Sequence, residues 1–407
     1  MKRLLRTFGR DEAAQQEIQR SLRKLAENQR DQTVTVQRAL GELTDALSQR
    51  ATAKEAGEIL DAVRALGRQF ERSVDDQLAH GGSAEQQRLV ERRLHREIDR
   101  IAAGSAPIVV GPWTGEVGFE LLYWIPFVEW VRTRWNISAE RLLIVSRGGV
   151  ASWYGMRDAA YADVFSCVTP AQFREATNQE EHKQRRKSAF DSQVLHAITR
   201  TRDLDEARHL HPESMYRVFM PYWRDEAGFS TIERFTRYER REPPADPMLE
   251  RLPEEYIAAR FYFNDSFPDT PQNRAFAHAV IAGVSARLPV VLLNPQLAVD
   301  DHSDYATAES ERVLTIGSAL TPERNLAVQT AVIGRSRAFV GTYGGYSYLA
   351  PFHNVPTLAF YSTPAFKLHH LHVAQRVFER IGAPTVMPID VAQAALVQAA
   401  LASLVAA

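Results

Sequence analysis

The chain has 407 residues, enough for two or three domains at roughly 150 residues each. Apolar residues make up 45% and charged residues 24%, a balance that excludes a disordered tail, a collagen-like fibre and an integral membrane protein. With 49 basic against 50 acidic side chains, no global field recruits nucleic acid, and a single cysteine, Cys167, excludes a disulfide framework and a multi-cysteine zinc site. No apolar run is long enough to span a bilayer, and the basic start MKRLLRTFGRDEAAQQE lacks the apolar core of a secretory signal. The expected location is cytoplasmic.

Of 38 aromatic residues only Phe8 and Phe70 fall in the first 105, a stretch without proline and rich in strong helix formers. Apolar residues there recur in steps of four and three: Ile18, Leu22, Leu25; Val36, Leu40, Leu43, Leu47; Ile59, Val63, Leu66, Phe70; Val90, Leu94, Ile98, Ile101. That narrow stripe predicts a helical coiled-coil stalk over residues 1–104, broken at His80–Ser83 and joining the protein into a homo-oligomer. A chain starting at Ser105 should then fold without it. The basic residues Lys2, Arg3, Arg6 and Arg10 suit a peripheral contact with an anionic membrane surface.

From residue 105 strands alternate with helices, the pattern of parallel βαβ units. Residues 107–110, 141–146 and 164–169 read as strands, with a helix over 120–135 that Pro126 should kink or delay. Residues 174–214 are charged and show no core stripe, and the run Lys183–Lys187 reads as a solvated helix. Proline-rich 242–247 joins this half to a second, whose strands are expected at 256–263, 289–294, 313–316, 338–341 and 357–361. An apolar helix over 391–405 closes the chain. The predicted class is α/β: two Rossmann-like domains, 105–246 and 247–383, between the stalk and a closing C-terminal helix, 384–407. Ligands should lie at the carboxyl ends of the strands, in a cleft between the domains.

Two glycine-rich segments carry the candidate chemistry. In Gly341-Thr342-Tyr343-Gly344-Gly345-Tyr346-Ser347 a strand ends, the backbone is open to close approach and a helix begins, an arrangement suited to a diphosphate. A tight strand-to-helix turn without ligand would look the same, and the pattern is not the dinucleotide G-x-G-x-x-G. The segment Gly111–Trp124 places Glu116 and Glu120 between the first strand and the first helix; either could serve as a base, and either could simply stabilise the helix start. Arg147-Gly148-Gly149 ends the second strand as a helix-entry turn or an anion contact. Asp300, Asp301, His302 and Asp304 lack a metal-ligand spacing, and His369, His370 and His372 point to different helix faces, so no metal site is assigned.

The stretch NLAVQTAVIGRSRAFVGTYGGYSYLAPFHNVPTLAFYS resembles the nucleotide-sugar half of GT-B-fold glycosyltransferases. The resemblance implies a donor diphosphate held by Arg260 and by Gly341, Thr342, Tyr343, Gly344, Gly345, Tyr346 and Ser347. It places Glu116 on the acceptor side as base, with Glu120 the second candidate. The implied reaction moves a sugar from a nucleotide-sugar donor, with no cofactor and no metal, to a glycan or lipid-linked acceptor of bacterial surface-glycan type. Two alternatives share the architecture: a sugar-nucleotide epimerase or hydrolase using paired acids, and a non-catalytic scaffold with a degenerate binding module.

Overall fold

The computed structural model describes residues 84–179, 184–204, 206–294, 297, 303–366 and 368–406, with backbone alone for 84–86, 178–179, 394 and 403–406. The expected helices before residue 80, the break at His80–Ser83 and the basic start lie outside the described residues, as do Lys183, Asp300, Asp301 and His302. Val74–Ala407 forms one compact unit, to which all the described residues belong.

Helix α1, Ala84–Ala102, opens that unit. Its stripe Leu94, Ile98 and Ile101 is buried in the main apolar core, with Val90 packed alongside. The acids on the flanks of the stripe point the same way: Glu97 accepts from Ser214 Oγ (2.6 Å) and Arg217 Nη1 (2.7 Å), and Asp99 accepts from the Trp135 indole (2.7 Å). Of the expected stalk, only this last helix lies among the described residues, and it belongs to the globular unit. Over α1 the narrow stripe is covered by this chain's own globular body, not by a partner helix. Removing a side chain from such a site leaves a cavity, so Leu94→Ala should cost about 2–5 kcal/mol of stability. A chain starting at Ser105 should also unfold at lower denaturant than the full protein; an unchanged midpoint would show that α1 is dispensable.

The first sheet contains β1 (Ile108–Val110), β2 (Leu142–Ser146), β3 (Ala160–Asp163) and β4 (Arg208–Leu210), all parallel in the order β3-β2-β1-β4. Side chains alternate between faces, and in the central strands β1 and β2 both faces are buried, which is why those two read as continuous apolar runs. Ile108, Val110, Leu142 and Ile144 enter the main core, while Val109, Leu143 and Val145 face a second cluster. The third strand lies upstream of its expected position because Asp163 accepts from the Phe165 amide (2.9 Å) and turns the chain there.

Between β1 and β2 runs α2, in which Val117–Phe119 and Ile125–Arg134 flank a π-helical turn, Glu120–Trp124. Pro126 has no N–H for the carbonyl of Leu122; the Tyr238 hydroxyl donates to that oxygen instead (2.8 Å). Helices α3 (Ala151–Tyr154), α4 (Pro170–Gln179) and α5 (Ala189–Thr201) complete the half before β4. α5 buries Val194, Leu195 and Ile198, a stripe the charged composition of 174–214 conceals. The run read as a solvated helix is not helical over its described residues, and Gln184 within it is buried. Helices α6 (Pro212–Trp223) and α7 (Ser230–Arg234) lead to the connection.

The second sheet is parallel throughout, in the order β12-β11-β10-β5-β7-β9. In chain order its elements are β5 (Ile257–Arg260), β6 (Tyr262–Phe263), α8 (Pro271–Ser285), β7 (Val290–Leu292), β8 (Ser303–Asp304), β9 (Val313–Thr315), α9 (Asn325–Arg335), β10 (Ala338–Thr342), α10 (Gly345–Phe352), β11 (Thr357–Tyr361), α11 (Leu368–Arg380), β12 (Val386–Asp390) and α12 (Ala394–Ala406). From β5, strands β7 and β9 run to one side and β10, β11 and β12 to the other, a doubly wound order. β6 and β8 form a separate two-stranded ladder. The closing helix packs as expected, with Val397 buried and Leu396 and Leu401 against the outer face of the sheet; the sixth strand, β12, was not anticipated.

The two sheets are separate, and their carboxyl ends face one another. The loop after β2 meets the start of α9, where the Ala327 amide donates to the Gly148 carbonyl (2.8 Å). The helices that follow β1 and β10 touch end to end: a Cβ on Gly345 would lie 3.0 Å from the Gly118 amide nitrogen. One apolar core runs through both halves. The histidines of α11 are half-buried beside it: His369 meets Asp225 (2.7 Å), His370 Nδ1 meets the Tyr123 hydroxyl (2.7 Å), and His372, its pKa brought down to about 4 chiefly by burial, stacks on Phe229.

Candidate functional site

In a doubly wound sheet the crevice for a ligand opens where the strand order reverses, at the carboxyl ends of the two strands involved. In the first sheet that point lies between β1 and β4, so the loop 111–116 rises from it. In the second it lies between β5 and β10, which end at Arg260 and Thr342. Both segments singled out in the sequence therefore stand at switch points.

The first loop is fixed by backbone packing and by a buried polar network. Gly111 has φ +117°, and a Cβ there would sit 2.3 Å from the Val145 carbonyl oxygen, so no other residue fits. The Trp113 amide donates to that same carbonyl (2.9 Å). Gln184 reads both sides of the next peptides, accepting from the Thr114 amide (3.0 Å) and donating to the Pro112 carbonyl (2.8 Å). Gln184 also donates to Asp191 (2.8 Å), and His211 at the end of β4 meets the other Asp191 oxygen at 3.2 Å. Burial alone would raise the Asp191 carboxyl; the hydrogen bond and charge of His211, with bonds from Ser188, outweigh it and leave the pKa lowered. Gln184, Asp191 and His211 escaped the sequence reading. Ser188-x-x-Asp191 is a capping box, the one local signal that could have located the carboxylate.

The structure separates the two candidate acids. Glu116 precedes α2 with extended backbone (φ −67°, ψ 145°), is exposed and makes no capping hydrogen bond. Glu120 is completely buried in the π turn, where Oε1 accepts from Ser146 Oγ (2.6 Å) and Tyr154 OH (2.9 Å). Its Oε2 has no hydrogen-bond partner. Burial pushes its carboxyl up to about 7, against the opposing pull of Arg147 and of the two hydroxyls. Arg147 also donates to the Gly115 carbonyl, beside Glu116. Glu120 stands in the first turn, as a helix-start acid would, but it is sealed from solvent, and the two acids do not form an exposed pair.

On the other side, Gly341 is paired with Arg260 in the ladder, and a Cβ on it would lie 2.0 Å from the Arg260 carbonyl oxygen. Thr342 Oγ1 is engaged with the backbone of Tyr262 on both sides, at 3.0 and 2.8 Å. Tyr343 and Tyr348 share a hydroxyl contact of 2.5 Å. Ser347 Oγ closes onto Gly344, accepting from its amide (3.1 Å) and donating to its carbonyl (2.6 Å). The hydroxyls expected to greet a ligand thus build the turn. Tyr346 lies beneath the Arg260 guanidinium, 4.2 Å from ring centre to carbon. Arg260 itself is buried and bound to Asp304 and Gln329; Asp304, considered for a metal site, is its carboxylate partner. Among the described residues no cluster of His, Cys, Asp and Glu gathers to hold a metal ion, and no helix is long and apolar enough to cross a membrane.

No protein-family profile matches the sequence, and no curated protein does. Solved structures show distant likenesses. ADP-heptose LPS heptosyltransferase II of E. coli is 12% identical over 74% of this chain and 100% of that one, with a TM-score of 0.41. A glycosyl transferase family 9 protein of Veillonella parvula is 11% identical over 74% and 91%, at 0.35. The dodecameric iron-containing glycosyltransferase TibC of enterotoxigenic E. coli is 11% identical over 63% of this chain, also at 0.35; the chain spans 59% of that protein's length.

Proposed function

We propose that this chain is a glycosyltransferase that moves a sugar from a nucleotide-sugar donor to a hydroxyl of a glycan or lipid-linked acceptor. The observation that carries the reading is the placement of two glycine loops, 111–116 and 341–345, at the switch points of two facing doubly wound sheets. The donor diphosphate would lie over Gly341–Ser347, at the start of α10, with Arg260 beneath it. There the helix dipole and the guanidinium offset the charge of the departing diphosphate without a metal. The acceptor approaches over loop 111–116, where Glu116 is the exposed carboxylate. As the hydroxyl oxygen bonds to the anomeric carbon, Glu116 takes its proton and the carbon–oxygen bond to the diphosphate breaks. The epimerase alternative, which draws on Glu116 and Glu120 around one sugar, loses support because Glu120 is sealed.

Thermal unfolding in the presence of nucleoside diphosphates and their sugars tests the reading directly. A ligand at 100 times its dissociation constant should stabilise the protein by about 2.7 kcal/mol. Stabilisation by one nucleotide and its sugar is the expected result; a full panel without effect would refute the donor site.

A further inference from the structure

The arginine assigned to the donor diphosphate already holds an anion. Arg260 Nε donates to Asp304 Oδ1 at 2.8 Å and Nη2 to Oδ2 at 3.1 Å, a two-pronged carboxylate contact, while Nη1 donates to Gln329 Oε1 at 3.1 Å. Two tyrosine rings bracket the guanidinium, Tyr346 at 4.2 Å and Tyr262 at 5.5 Å. The paired N–H groups that grip Asp304 form the same planar fork that arginine offers a phosphate.

The two partners are not equally anchored. Arg260 ends β5, a central strand with hydrogen-bonded neighbours on both sides, and its side chain is 4% exposed. Asp304 is 10% exposed and sits on β8, which is two residues long and paired only with β6. Beyond it the Tyr305 amide donates to the Phe261 carbonyl (2.8 Å) and the Asn294 side chain donates to the Tyr305 carbonyl (3.3 Å). If the pair parts, Asp304 is the one that moves.

Resting on the donor-site reading above, we propose that Asp304 is an internal anion that keeps the donor arginine closed, and that the diphosphate of the nucleotide binds by taking its place on Arg260. The exchange keeps the buried guanidinium paired before and after, so no unpaired buried charge is passed through in either bound state. It also makes β8 a latch: the strand is released when the ligand arrives and returns when the diphosphate leaves.

The test uses the full-length protein and calorimetric titration with ADP, UDP, GDP and CDP in turn. Where the closed form holds about nine-tenths of the molecules, Asp304→Asn should tighten the nucleotide that binds the wild type about tenfold. Unchanged or weaker binding by a folded Asp304→Asn protein overturns the latch and leaves the pair a structural one. Should that variant fail to fold, hydrogen exchange on the wild type decides: saturating nucleotide should speed exchange of the Tyr305 amide, and added protection there overturns the proposal. Binding to neither wild type nor variant overturns the donor-site reading and the latch together. Binding to the wild type without tightening in the variant sinks the latch alone.

Discussion

Glu116→Gln should reduce turnover by roughly 10²–10⁴ while leaving nucleotide affinity nearly intact, the loss expected when a positioned base is removed. The substitution is clean because Glu116 is exposed and makes no capping hydrogen bond. Glutamine keeps the shape and loses only the proton acceptor. The fold should lose at most about 0.3–1 kcal/mol, the ordinary value of an acid near a helix start. Steady-state rates with a donor and acceptor, alongside titration with the nucleotide, separate the two effects. Turnover at the wild-type level would remove Glu116 from the mechanism.

The second large effect concerns stability and pH. Burial raises the Glu120 carboxyl from its ordinary 4.5 to about 7 in the folded protein. Below pH 4.5 both folded and unfolded chains carry the proton, and the group contributes nothing adverse. Between 4.5 and about 7 the unfolded chain has released the proton and the folded chain retains it, so stability falls as pH rises, by about 1.4 kcal/mol per unit. The accumulated loss by pH 7 is on the order of 3 kcal/mol. Asp163, raised from 3.8 to about 6 by burial against hydrogen bonds from Gly149, Phe165 and Tyr161, adds a decline of the same sign that ends near pH 6. Glu120→Gln should therefore flatten most of the decline measured by denaturant unfolding between pH 5 and pH 8. An equally steep decline in the variant would place the responsible proton elsewhere.

Much of the architecture is legible in the residues because parallel strands buried on both faces announce themselves as short apolar runs. The runs at 108–110, 142–146, 257–260, 338–342 and 357–361 are of this kind. Glycine marked the two loops for an equally local reason: at 111 and 341 a carbonyl oxygen stands where a Cβ would be. What the sequence withheld depends on who meets whom. The stripe of α1 fits a partner helix and a globular flank equally well, and spacing alone cannot choose between them. The burial of Glu120 follows from a π turn that rotates it toward Ser146 and Tyr154, residues 26 and 34 positions away. Arg260 was placed at the right strand end, but its engagement with Asp304 requires a contact 44 residues distant. The strands β4 and β12 exist because a sheet edge was available to pair with them, not because His209 or Pro388 favours extension.

The indole of Trp153 donates to Thr330 Oγ1 (2.8 Å), across the boundary between the two halves. All six tryptophans, at 113, 124, 130, 135, 153 and 223, belong to the first half, and the second carries only tyrosine and phenylalanine. The protein is in consequence spectroscopically lopsided. Selectively excited indole emission reports the environment of the first half, while loss of order confined to the second is nearly dark except through Trp153. Comparing that emission with tyrosine absorbance separates the half that carries Glu116 from the half that carries Arg260, without attaching any dye.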